Sequence, residues 1–393
     1  MPNDWALQEY DAVLNRIAPG AYSVVLARST DVDPDPRAER TAECLSVDGY
    51  RCLIVGWNRR GESPTFQSRG EVDILRIPLD SAYGSGLKNL GRQAQWNARL
   101  CQALFRLRPA IVHAFDLDCL VPALSFKVLC GAKVVYDIAD WYSASRRIGS
   151  LAPVADLLER SLSRLADGVV LAHEARLTQL GYTPRRWTVS YNLPDFDGTP
   201  PPAPSAGEPY VAYVGVLHQD RGLSYLLHAS VRAGVRLVVG GFGPLESLVA
   251  RAAQESGSVG FLGRISYADA LRVEEGALAV VGLYDPAVPN NRLAAPNKLF
   301  EAMALGKPFI TTTGTLAGKI VEETGIGLSV PYGDTTALAE ALIGVKVKTE
   351  ARLEMGARAS SLYRTTYSPS ANRERLLSLY REIDQRPERS YAS

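Results

Sequence analysis

The chain has 393 residues, of which 46% are hydrophobic and 22% are charged, and its 43 basic residues balance its 42 acidic ones. This composition predicts a globular protein with room for two domains, and the balanced charge argues against a dedicated nucleic-acid binder. No apolar run reaches the length of a membrane span, and the N-terminus lacks the pattern of a secretory signal, so a cytoplasmic location is expected.

The cysteines and histidines show no spacing that indicates chemistry. The five cysteines are scattered without a Cys-x-x-Cys pair, and no two of the four histidines have metal-ligand spacing. This pattern favours reduced thiols over a disulfide framework and gives no indication of a metal site.

In the first half, apolar runs of strand length alternate with helical patterns. Strands are predicted at 22–27, 52–57, 72–77, 111–114, 134–138, 168–172 and 187–191. Helices are predicted between them, for example at 37–47, 90–108 and 151–165. This alternation is typical of an α/β domain with a doubly wound parallel sheet.

A stretch rich in proline and small residues, 194–209, divides the chain and is predicted to be an extended linker. Further strands are predicted at 210–216, 236–240, 259–262, 278–283, 309–312 and 327–330. The predicted domains are therefore 1–193 and 210–366, followed by a helical segment, 367–393, that packs on one of them. Ligands are expected at the carboxyl ends of the strands, in the cleft between the domains.

The strand that opens the second domain ends at Gly215, and Arg221-Gly222 follows where a helix begins. Glycine lets the backbone approach a ligand closely, and arginine offers a forked donor to phosphate oxygens. An ordinary strand–loop–helix turn, with Arg221 in solvent, is the alternative.

Two further strands run into glycine-containing loops. Gly241 and Gly243 follow the strand at 236–240, although Glu246 in the third glycine position excludes the dinucleotide fingerprint. Gly263, Arg264 and Ile265 follow the next strand. In a nucleotide pocket such a strand end presents backbone groups to a base edge and an apolar side chain to its face; a plain surface turn is the alternative.

The most informative stretch is 296–310, which predicts a loop, a short helix, a glycine stop and a strand. Asn297 and Lys298 lie where the helix begins, and Glu301 follows Lys298 by three positions. The N-terminus of a helix favours an anion, so Lys298 is predicted to bind phosphate and Glu301 to bind sugar hydroxyls. The alternative is a packed helix with two solvated charges.

Together these motifs resemble the family-4 retaining glycosyltransferases of the GT-B fold. The resemblance rests on the order of Gly215, Arg221-Gly222, Gly241-x-Gly243-Pro244, Phe261-Leu262-Gly263 and the segment 296–308. In the first half, Asp35-Pro36-Arg37, residues 111–118 and residues 134–142 resemble the family more weakly. The implied fold is α/β, with two doubly wound Rossmann-like domains that face each other across a cleft.

The resemblance implies retaining transfer of a sugar from a nucleotide diphosphate sugar, more commonly of UDP than of GDP, with no metal or other cofactor. The acceptor would be a hydroxyl of a glycan, a lipid-linked saccharide or a small natural product. Arg221, Lys298 and the backbone around Asn297 would stabilise the departing diphosphate, and Glu301 would hold the donor ribose. The donor-binding set is Gly215, Arg221, Gly241, Gly243, Arg264, Ile265, Asn291, Asn297, Lys298, Leu299 and Glu301.

Two residues of the first domain complete the predicted catalytic set. His113 ends an apolar strand and matches a family position near the reacting sugar, where it would orient the sugar or stabilise positive charge; a structural histidine bonded to the backbone is the alternative. Asp116 would orient the acceptor hydroxyl, with the departing phosphate as the base.

The sequence departs from the family pattern in several places. Leu293 stands where the family has the first of two glutamates, and Asn290 or Asn291 is expected to replace it. Val216 stands where an arginine is common, and the N-terminal glycine-rich loop is absent. The departures at Leu293 and Val216 leave open a catalytically impaired nucleotide-sugar-binding subunit, and among enzymes a GT-B nucleotide-sugar epimerase is the alternative.

The helix at 90–108 carries Arg92, Arg99 and Arg106 on a face away from its apolar side. In the resembled family, members with lipid-linked acceptors dock on anionic membranes through such faces, so peripheral contact with the inner membrane face is one interpretation. The modest density of basic residues favours a core-packed helix with a solvated basic side.

Overall fold

The computed structural model describes residues 4–32, 35–59, 61–81, 90–145, 148–194 and 208–384. The chain divides into two compact units: unit 1 comprises Met1–Tyr191 with Ser370–Ser393, and unit 2 comprises Asn192–Pro369. Most of the predicted linker at 194–209, and the end of the predicted C-terminal segment, lie outside the described residues.

Unit 1 is built on an eight-stranded sheet in the order β3-β4-β2-β1-β5-β6-β7-β8. The strands are β1 (Val24–Arg28), β2 (Cys52–Asn58), β3 (Phe66–Arg69), β4 (Val72–Pro78), β5 (Ile111–Phe115), β6 (Lys133–Ile138), β7 (Gly168–Leu171) and β8 (Trp187–Val189). Every neighbouring pair is parallel except the edge strand β3, which is antiparallel to β4.

Helices cover both faces of this sheet, which is why its central strands are continuous apolar runs rather than alternating ones. Both β2 and β5 are buried at every position. The helices are α1 (Asp4–Arg16), α2 (Pro36–Val47), α3 (Leu90–Leu107), α4 (Asp116–Cys130), α5 (Tyr142–Ser145), α6 (Ala152–Ser163) and α7 (Leu177–Leu180). Helix α2 begins at Asp35, whose carboxylate accepts from the Ala38 N–H.

The apolar side of α3 packs into the core, as expected. Trp96 is fully buried and stacks on Trp57 of β2, with ring centroids 5.3 Å apart. On its other side, Arg99 pairs with Asp11 at 3.2 Å, and Arg106 donates to the carbonyl of Asn15 at 2.6 Å. Arg92 donates from Nη1 to Oε1 of Gln95 at 2.9 Å, so all three arginines of this face are engaged within unit 1.

Unit 2 is built on a six-stranded parallel sheet in the order β11-β10-β9-β12-β13-β14. The strands are β9 (Tyr210–Val214), β10 (Arg236–Gly240), β11 (Val259–Phe261), β12 (Val280–Val281), β13 (Phe309–Thr312) and β14 (Gly327–Val330). The helices are α8 (Leu223–Ala233), α9 (Glu246–Glu255), α10 (Tyr267–Glu275), α11 (Pro289–Arg292), α12 (Asn297–Ala304), α13 (Leu316–Thr324), α14 (Thr335–Val347) and α15 (Thr349–Thr365). The predicted α/β class with two parallel sheets is confirmed.

Strand β12 is shorter than the predicted 278–283. It shares one register pair with β9 and two with β13, and the Gly282 N–H that follows still donates to the Ile310 carbonyl at 2.9 Å. A Cβ at Gly282 would lie 2.5 Å from the ring of Phe309, so this glycine lets the chain pass close to β13.

The last described helix, α16 (Pro369–Asp384), packs in unit 1 rather than beside α15. Its buried side chains, Leu376, Leu377, Leu379, Tyr380 and Ile383, join the core that includes Val24 and Ile54. A Cβ at Gly168 would lie 2.5 Å from Cδ1 of Ile383, so β7 approaches this helix closely. The predicted break at Ser368-Pro369 is confirmed.

All five cysteines are free. Among the described helices, none combines the length and the apolar character that crossing a membrane requires.

Candidate functional site

The candidate site of unit 2 lies where the strand order of its sheet reverses. Strand β9 is flanked by β10 on one side and β12 on the other, so the loops that leave β9 and β12 diverge from neighbouring points. Such a reversal opens a crevice at the carboxyl ends of the strands, where α/β proteins bind ligands. The predicted glycine loops and the N-terminus of α12 belong to this edge of the sheet.

The loops that follow β9 and β10 lie against each other, and this close contact requires glycine at Gly215 and Gly241. The Gly215 N–H donates to the Gly240 carbonyl at 2.9 Å, and the Gly241 N–H donates to the Gly263 carbonyl at 2.7 Å. Gly241 has a φ of 141°, and a Cβ there would lie 1.8 Å from the carbonyl oxygen of Gly215. Only glycine permits this approach, so these residues bring three loops together.

Gly243 extends the same cluster. A Cβ at Gly243 would lie 2.6 Å from the Leu217 carbonyl oxygen, and the Gly243 N–H donates to Oε1 of Glu246 at 2.8 Å. Glu246, which stands in place of the third glycine of the dinucleotide fingerprint, therefore closes the glycine loop with its side chain.

Lys298 lies on the first turn of α12 and leans over β9. Its Nζ is 4.5 Å from the centre of the Tyr213 ring, and a Cβ at Gly215 would lie 2.5 Å from Nζ. The helix begins after Pro296, which makes no side-chain capping hydrogen bond, so the ammonium lies at the N-terminus of a helix. A cation and a helix N-terminus together form an anion site.

The surroundings of Lys298 set its pKa to about 8. Burial lowers this pKa most, the carboxyl groups of Glu274 and Glu301 raise it, and Arg221 lowers it. The lysine therefore titrates close to neutral pH, which makes its charge sensitive to any anion that binds beside it.

Arg221 ends a short 3-10 turn, Gln219–Arg221, after β9. Its Nη1 donates to Oδ1 of Asn291 at 3.0 Å, and its Cζ lies 4.8 Å from the Tyr284 ring. Asn291 is 2% exposed and donates from Nδ2 to Oδ2 of Asp220 at 3.1 Å. Asn291 was predicted to bind the donor, but it lies behind Arg221 and holds it in place.

Asp220 supplies the negative charge beside Arg221. Burial raises the pKa of Asp220, but Arg221 and hydrogen bonds from His218 and Asn291 lower it below its usual range. The ionised carboxylate thus fixes the arginine and the histidine of the loop.

Two carboxyl groups lie close to Lys298. Glu301, on the second turn of α12, is 7% exposed. Glu274, on α10, is 1% exposed, and within the described part of the chain neither of its carboxyl oxygens has a hydrogen-bond partner. Burial and Glu301 raise the pKa of Glu274 well above its usual range, and Lys298 lowers it. Sequence reasoning missed Glu274, because it stands in a mostly charged run, Arg272–Glu275, typical of a solvated helix end.

The remaining predicted donor-binding residues differ in exposure. Arg264 is exposed and lies over Phe242, with Cζ 4.6 Å from the ring centre. Ile265 packs against Gly240, and a Cβ added at Gly240 would lie 2.8 Å from Cδ1 of Ile265. Asn297 is exposed at the start of α12. Leu299 is fully buried and its N–H donates to the Pro296 carbonyl at 3.1 Å, so neither its side chain nor its N–H is available to a ligand.

In unit 1, His113 is in the core. It is fully buried on β5, its Nδ1 lies 2.7 Å from the Tyr380 hydroxyl, and its Nε2 lies 3.2 Å from Oδ2 of Asp137. Nη2 of Arg37 donates to the same carboxylate at 2.7 Å. Because both ring nitrogens are bonded inside unit 1, the structure does not place His113 where a sugar would contact it.

Asp116 lies at the reversal point of the first sheet, between β1 and β5. Its Oδ2 accepts from Nη1 of Arg28 at 2.7 Å, and Nε of Arg28 donates to Oδ2 of Asp35 at the same distance. Asp116 has a φ of 56°, which is rare outside glycine and orients its side chain toward Arg28. Unit 1 thus has its own polar cluster at the carboxyl ends of its strands.

Within the described residues, no three His, Cys, Asp or Glu side chains come together as a metal-binding group. The metal independence of the chemistry stays a prediction.

Comparison with known families identifies the chain. Residues 34–192 match the model of the glycosyl transferase 4-like domain, and residues 208–345 match the model of glycosyl transferases group 1. The two matches fall in unit 1 and unit 2 in that order. The chain belongs to the group 1 glycosyltransferases, as its motifs predicted.

Two curated relatives match part of the chain. The D-rhamnosyltransferase WbpZ of Pseudomonas aeruginosa is 29% identical over 200 residues, which is 48% of this chain and 51% of the relative. The alpha-D-kanosaminyltransferase of Streptomyces kanamyceticus is 26% identical over 185 residues, 44% of this chain and 46% of the relative. The chain is thus aligned with about half the length of these relatives.

Solved structures of low sequence identity share the GT-B fold. Sucrose-phosphate synthase from Thermosynechococcus elongatus has a TM-score of 0.76 at 17% identity, covering 92% of this chain and 99% of its own. WaaG, a glycosyltransferase involved in lipopolysaccharide biosynthesis, has a TM-score of 0.66 at 15% identity, covering 92% and 99%. HepE of Anabaena in complex with UDP and glucose has a TM-score of 0.64 at 17% identity, covering 93% and 98%.

Proposed function

We propose that the protein is a retaining glycosyltransferase that moves a sugar from a nucleotide diphosphate sugar to a hydroxyl acceptor. The observation that carries the proposal is the pairing of Lys298 with an uncapped helix N-terminus at the strand reversal of unit 2. Arg221, fixed by Asn291, adds a second cation from the loop after β9. Membership of the group 1 family supports the reaction class.

The arrangement suits a departing diphosphate. Cleavage of the sugar–phosphate bond places new negative charge on the phosphate, and preorganised cations stabilise that charge more in the transition state than in the ground state. Lys298 and Arg221 carry this role without a metal ion. A half-buried ammonium interacts more strongly with such charge than a solvated one does.

We assign the donor nucleotide to the loops of unit 2. The backbone at Gly241 and Gly243 allows close approach of the diphosphate, and Ile265 and the chain at Arg264 receive the base. Glu301 holds the ribose hydroxyls, since a carboxylate accepts two of them at once. We propose UDP as the nucleotide of the donor. The HepE structures, which have a similar fold, contain UDP or UDP-glucose.

We assign the acceptor to unit 1, at the Arg28, Asp35 and Asp116 cluster. Asp116 orients the acceptor hydroxyl, and the departing phosphate takes its proton. His113 enters this proposal as a structural residue, because its ring is buried and bonded on both sides.

The test is turnover of a panel of UDP- and GDP-sugars followed by ¹H NMR. Slow release of free sugar that first appears with the anomeric configuration of the donor supports a retaining transferase. An inverted sugar contradicts retention, and an epimerised donor contradicts transfer itself. Binding of a donor without any turnover over the same period would instead identify an impaired binding subunit.

A further inference from the structure

Helix α6 of unit 1 exposes its large apolar side chains and buries polar ones. A helix on the surface of a domain normally turns its apolar side to the core and its polar side to solvent. In α6 the buried positions are Glu159 and Ser163, whereas Val154, Leu157 and Leu158 are exposed, Leu157 by 66%. Because these three residues are three and four positions apart, they form one aliphatic stripe on the outside of the helix.

The two carboxyl groups of α6 take no part in this stripe. Asp156 accepts from Nε1 of Trp141 at 2.7 Å. Glu159 accepts from the Tyr136 hydroxyl at 2.6 Å. Both carboxyl groups are therefore bonded to side chains of unit 1, and the aliphatic stripe carries no acid of this helix.

The neighbouring helix α4 continues the stripe. The two helices connect β5 to β6 and β6 to β7, so they lie side by side on the same side of the sheet. Nζ of Lys127 on α4 donates to the carbonyl of Leu165, just after α6, at 2.8 Å. Helix α4 exposes Val121, Val128 and Leu129, with Val128 exposed by 83%. We call the surface formed by these residues and the α6 stripe the α4–α6 face.

The α4–α6 face has few charges. Among the described residues of α4 and of the segment 149–165, Arg164 is the only charged residue that is exposed, and its Cζ lies 4.4 Å from the centre of the Tyr182 ring. Lys127, at the edge of the face, pairs with Asp167 at 2.7 Å. Anionic lipid surfaces are bound by clusters of Lys and Arg, often with aromatic residues, so this aliphatic face does not match one.

The area of the α4–α6 face matches that of a protein interface. Its seven exposed aliphatic side chains, with Leu165 included, together expose about 700 Å², and each partner in a stable complex buries about 800 Å². The largest apolar patch of a monomeric protein is usually about 300–600 Å². A face of this size and low charge is complementary to itself, because aliphatic side chains meet aliphatic side chains and few charges oppose one another.

We infer that the α4–α6 face binds the same face of a second copy of this chain, so that the protein is a homodimer. A two-fold contact uses the same residues on both copies, and together the two faces supply the area of a standard interface. The inference goes beyond the proposed function, because it uses no residue of the donor site or of the Arg28, Asp35 and Asp116 cluster.

Sedimentation velocity of the full chain between about 1 μM and about 100 μM tests the inference. Wild type should sediment as a dimer. Leu157→Glu on α6 and Val128→Glu on α4 should each raise the dimer dissociation constant at least about 100-fold, because two-fold symmetry places two new charges in one aliphatic interface. Both residues are exposed in the chain, so the melting temperature of each variant should stay close to that of wild type.

Leu353→Glu is the matched control. Leu353 is a leucine of α15 in unit 2 and is exposed to a similar degree, 64%. This variant should dimerise as wild type does. A wild type that stays monomeric at about 100 μM would overturn the inference, and so would a dimer that neither Leu157→Glu nor Val128→Glu weakens.

Flotation with vesicles of phosphatidylcholine and phosphatidylglycerol separates a second copy from a lipid surface. Wild type should stay with the protein fraction, because the α4–α6 face lacks a cluster of exposed basic residues among its described positions. If wild type floats with the vesicles and Leu157→Glu does not, while Leu353→Glu behaves as wild type, a lipid surface occupies the face and the inference is overturned.

Discussion

The guanidinium of Arg221 donates from Nη1 to the side-chain carbonyl of Asn291, 3.0 Å away, and Asn291 donates onward to Asp220 at 3.1 Å. This chain of bonds fixes Arg221, the proposed phosphate-binding cation, through a residue that the sequence predicted to contact the donor sugar. It also fits the use of asparagine here, because an amide side chain accepts from the arginine through its oxygen and donates to the carboxylate through its nitrogen.

Asn291→Ala should therefore weaken donor binding through Arg221, since the Asn291 side chain itself does not contact the donor. Arg221 loses its fixed geometry and Asp220 loses a donor, so the Kd for UDP should rise about tenfold, equivalent to ~1.4 kcal/mol. Calorimetry measures the change, with Gln254→Ala, an exposed amide of α9 in unit 2, as control. Equal losses in the two variants would show that the Arg221–Asn291 bond has no special role.

Lys298→Ala should lower kcat for sugar transfer by about 10²- to 10³-fold, because it removes a preorganised cation from the departing diphosphate. The control is Lys319→Ala, since Lys319 is an exposed lysine of α13 whose carboxylate partner, Glu323, is 3.7 Å away. Initial rates with a saturating donor make the comparison. Full activity in Lys298→Ala would refute the phosphate assignment.

Glu301→Gln tests whether Glu301 holds the ribose, through the selectivity of the protein for UDP over 2′,3′-dideoxy-UDP. Wild type should bind UDP more tightly than 2′,3′-dideoxy-UDP, because Glu301 accepts from the ribose hydroxyls. The variant should lose about tenfold of that preference while its affinity for the dideoxy compound stays nearly constant. If the variant discriminates as well as wild type does, Glu301 does not hold the ribose.

The raised pKa of the buried Glu159 carboxyl group predicts how the stability of unit 1 depends on pH. Burial raises its pKa from 4.5 to about 8, although hydrogen bonds from Tyr136 and the Tyr142 N–H oppose this. Between those values the folded state binds more protons than the unfolded state, so stability falls as pH rises through this window.

Glu159→Gln should remove that fall, because the amide accepts from the Tyr142 N–H and donates to the Tyr136 hydroxyl without ionising. Urea denaturation at about pH 5 and about pH 8 measures the difference, which should be smaller in Glu159→Gln than in wild type. Glu9→Gln, on the exposed side of α1, should keep the wild-type slope. An unchanged slope in Glu159→Gln would show that another group controls the pH dependence.

Tyr380→Phe tests how α16 is held in unit 1. The variant removes the hydroxyl that lies 2.7 Å from Nδ1 of His113 and leaves a buried nitrogen without its partner. Unit 1 should lose about 1–3 kcal/mol of unfolding free energy. Tyr10→Phe, on α1 of the same unit, is the comparison, because the buried Tyr10 hydroxyl has no hydrogen-bond partner within the described residues. A similar or smaller loss in Tyr380→Phe would contradict the importance of the bond to His113.

The sheets of both units follow from the sequence because their strands are buried on both faces. Runs such as those of β5 and β9 are apolar at every position except His113, and this signal needs no knowledge of distant contacts. The short helix α12 was likewise predictable, since its start after Pro296 and its stop at Gly306 are local. Strand β3 was not, because its sequence, FQSR, is partly exposed and mostly polar.

The side chains of the site depend on residues far apart in sequence. His113 has the same strand-end pattern whether it faces a substrate or the core, and its burial is decided by Tyr380, 267 positions away. Glu274 resembles a solvated helix residue until α10 packs on β9 and α12 brings Lys298 near it. Local patterns therefore predicted the loops of the site, and long-range packing decided which side chains a ligand can reach.

The most direct test of the central claim is calorimetric titration of wild type and Lys298→Ala with UDP and GDP near pH 7. Wild type should bind one nucleoside diphosphate per chain, and Lys298→Ala should bind it at least about tenfold more weakly with its fold retained. Absence of binding to wild type, or equal affinity in Lys298→Ala, would contradict a diphosphate site at the N-terminus of α12.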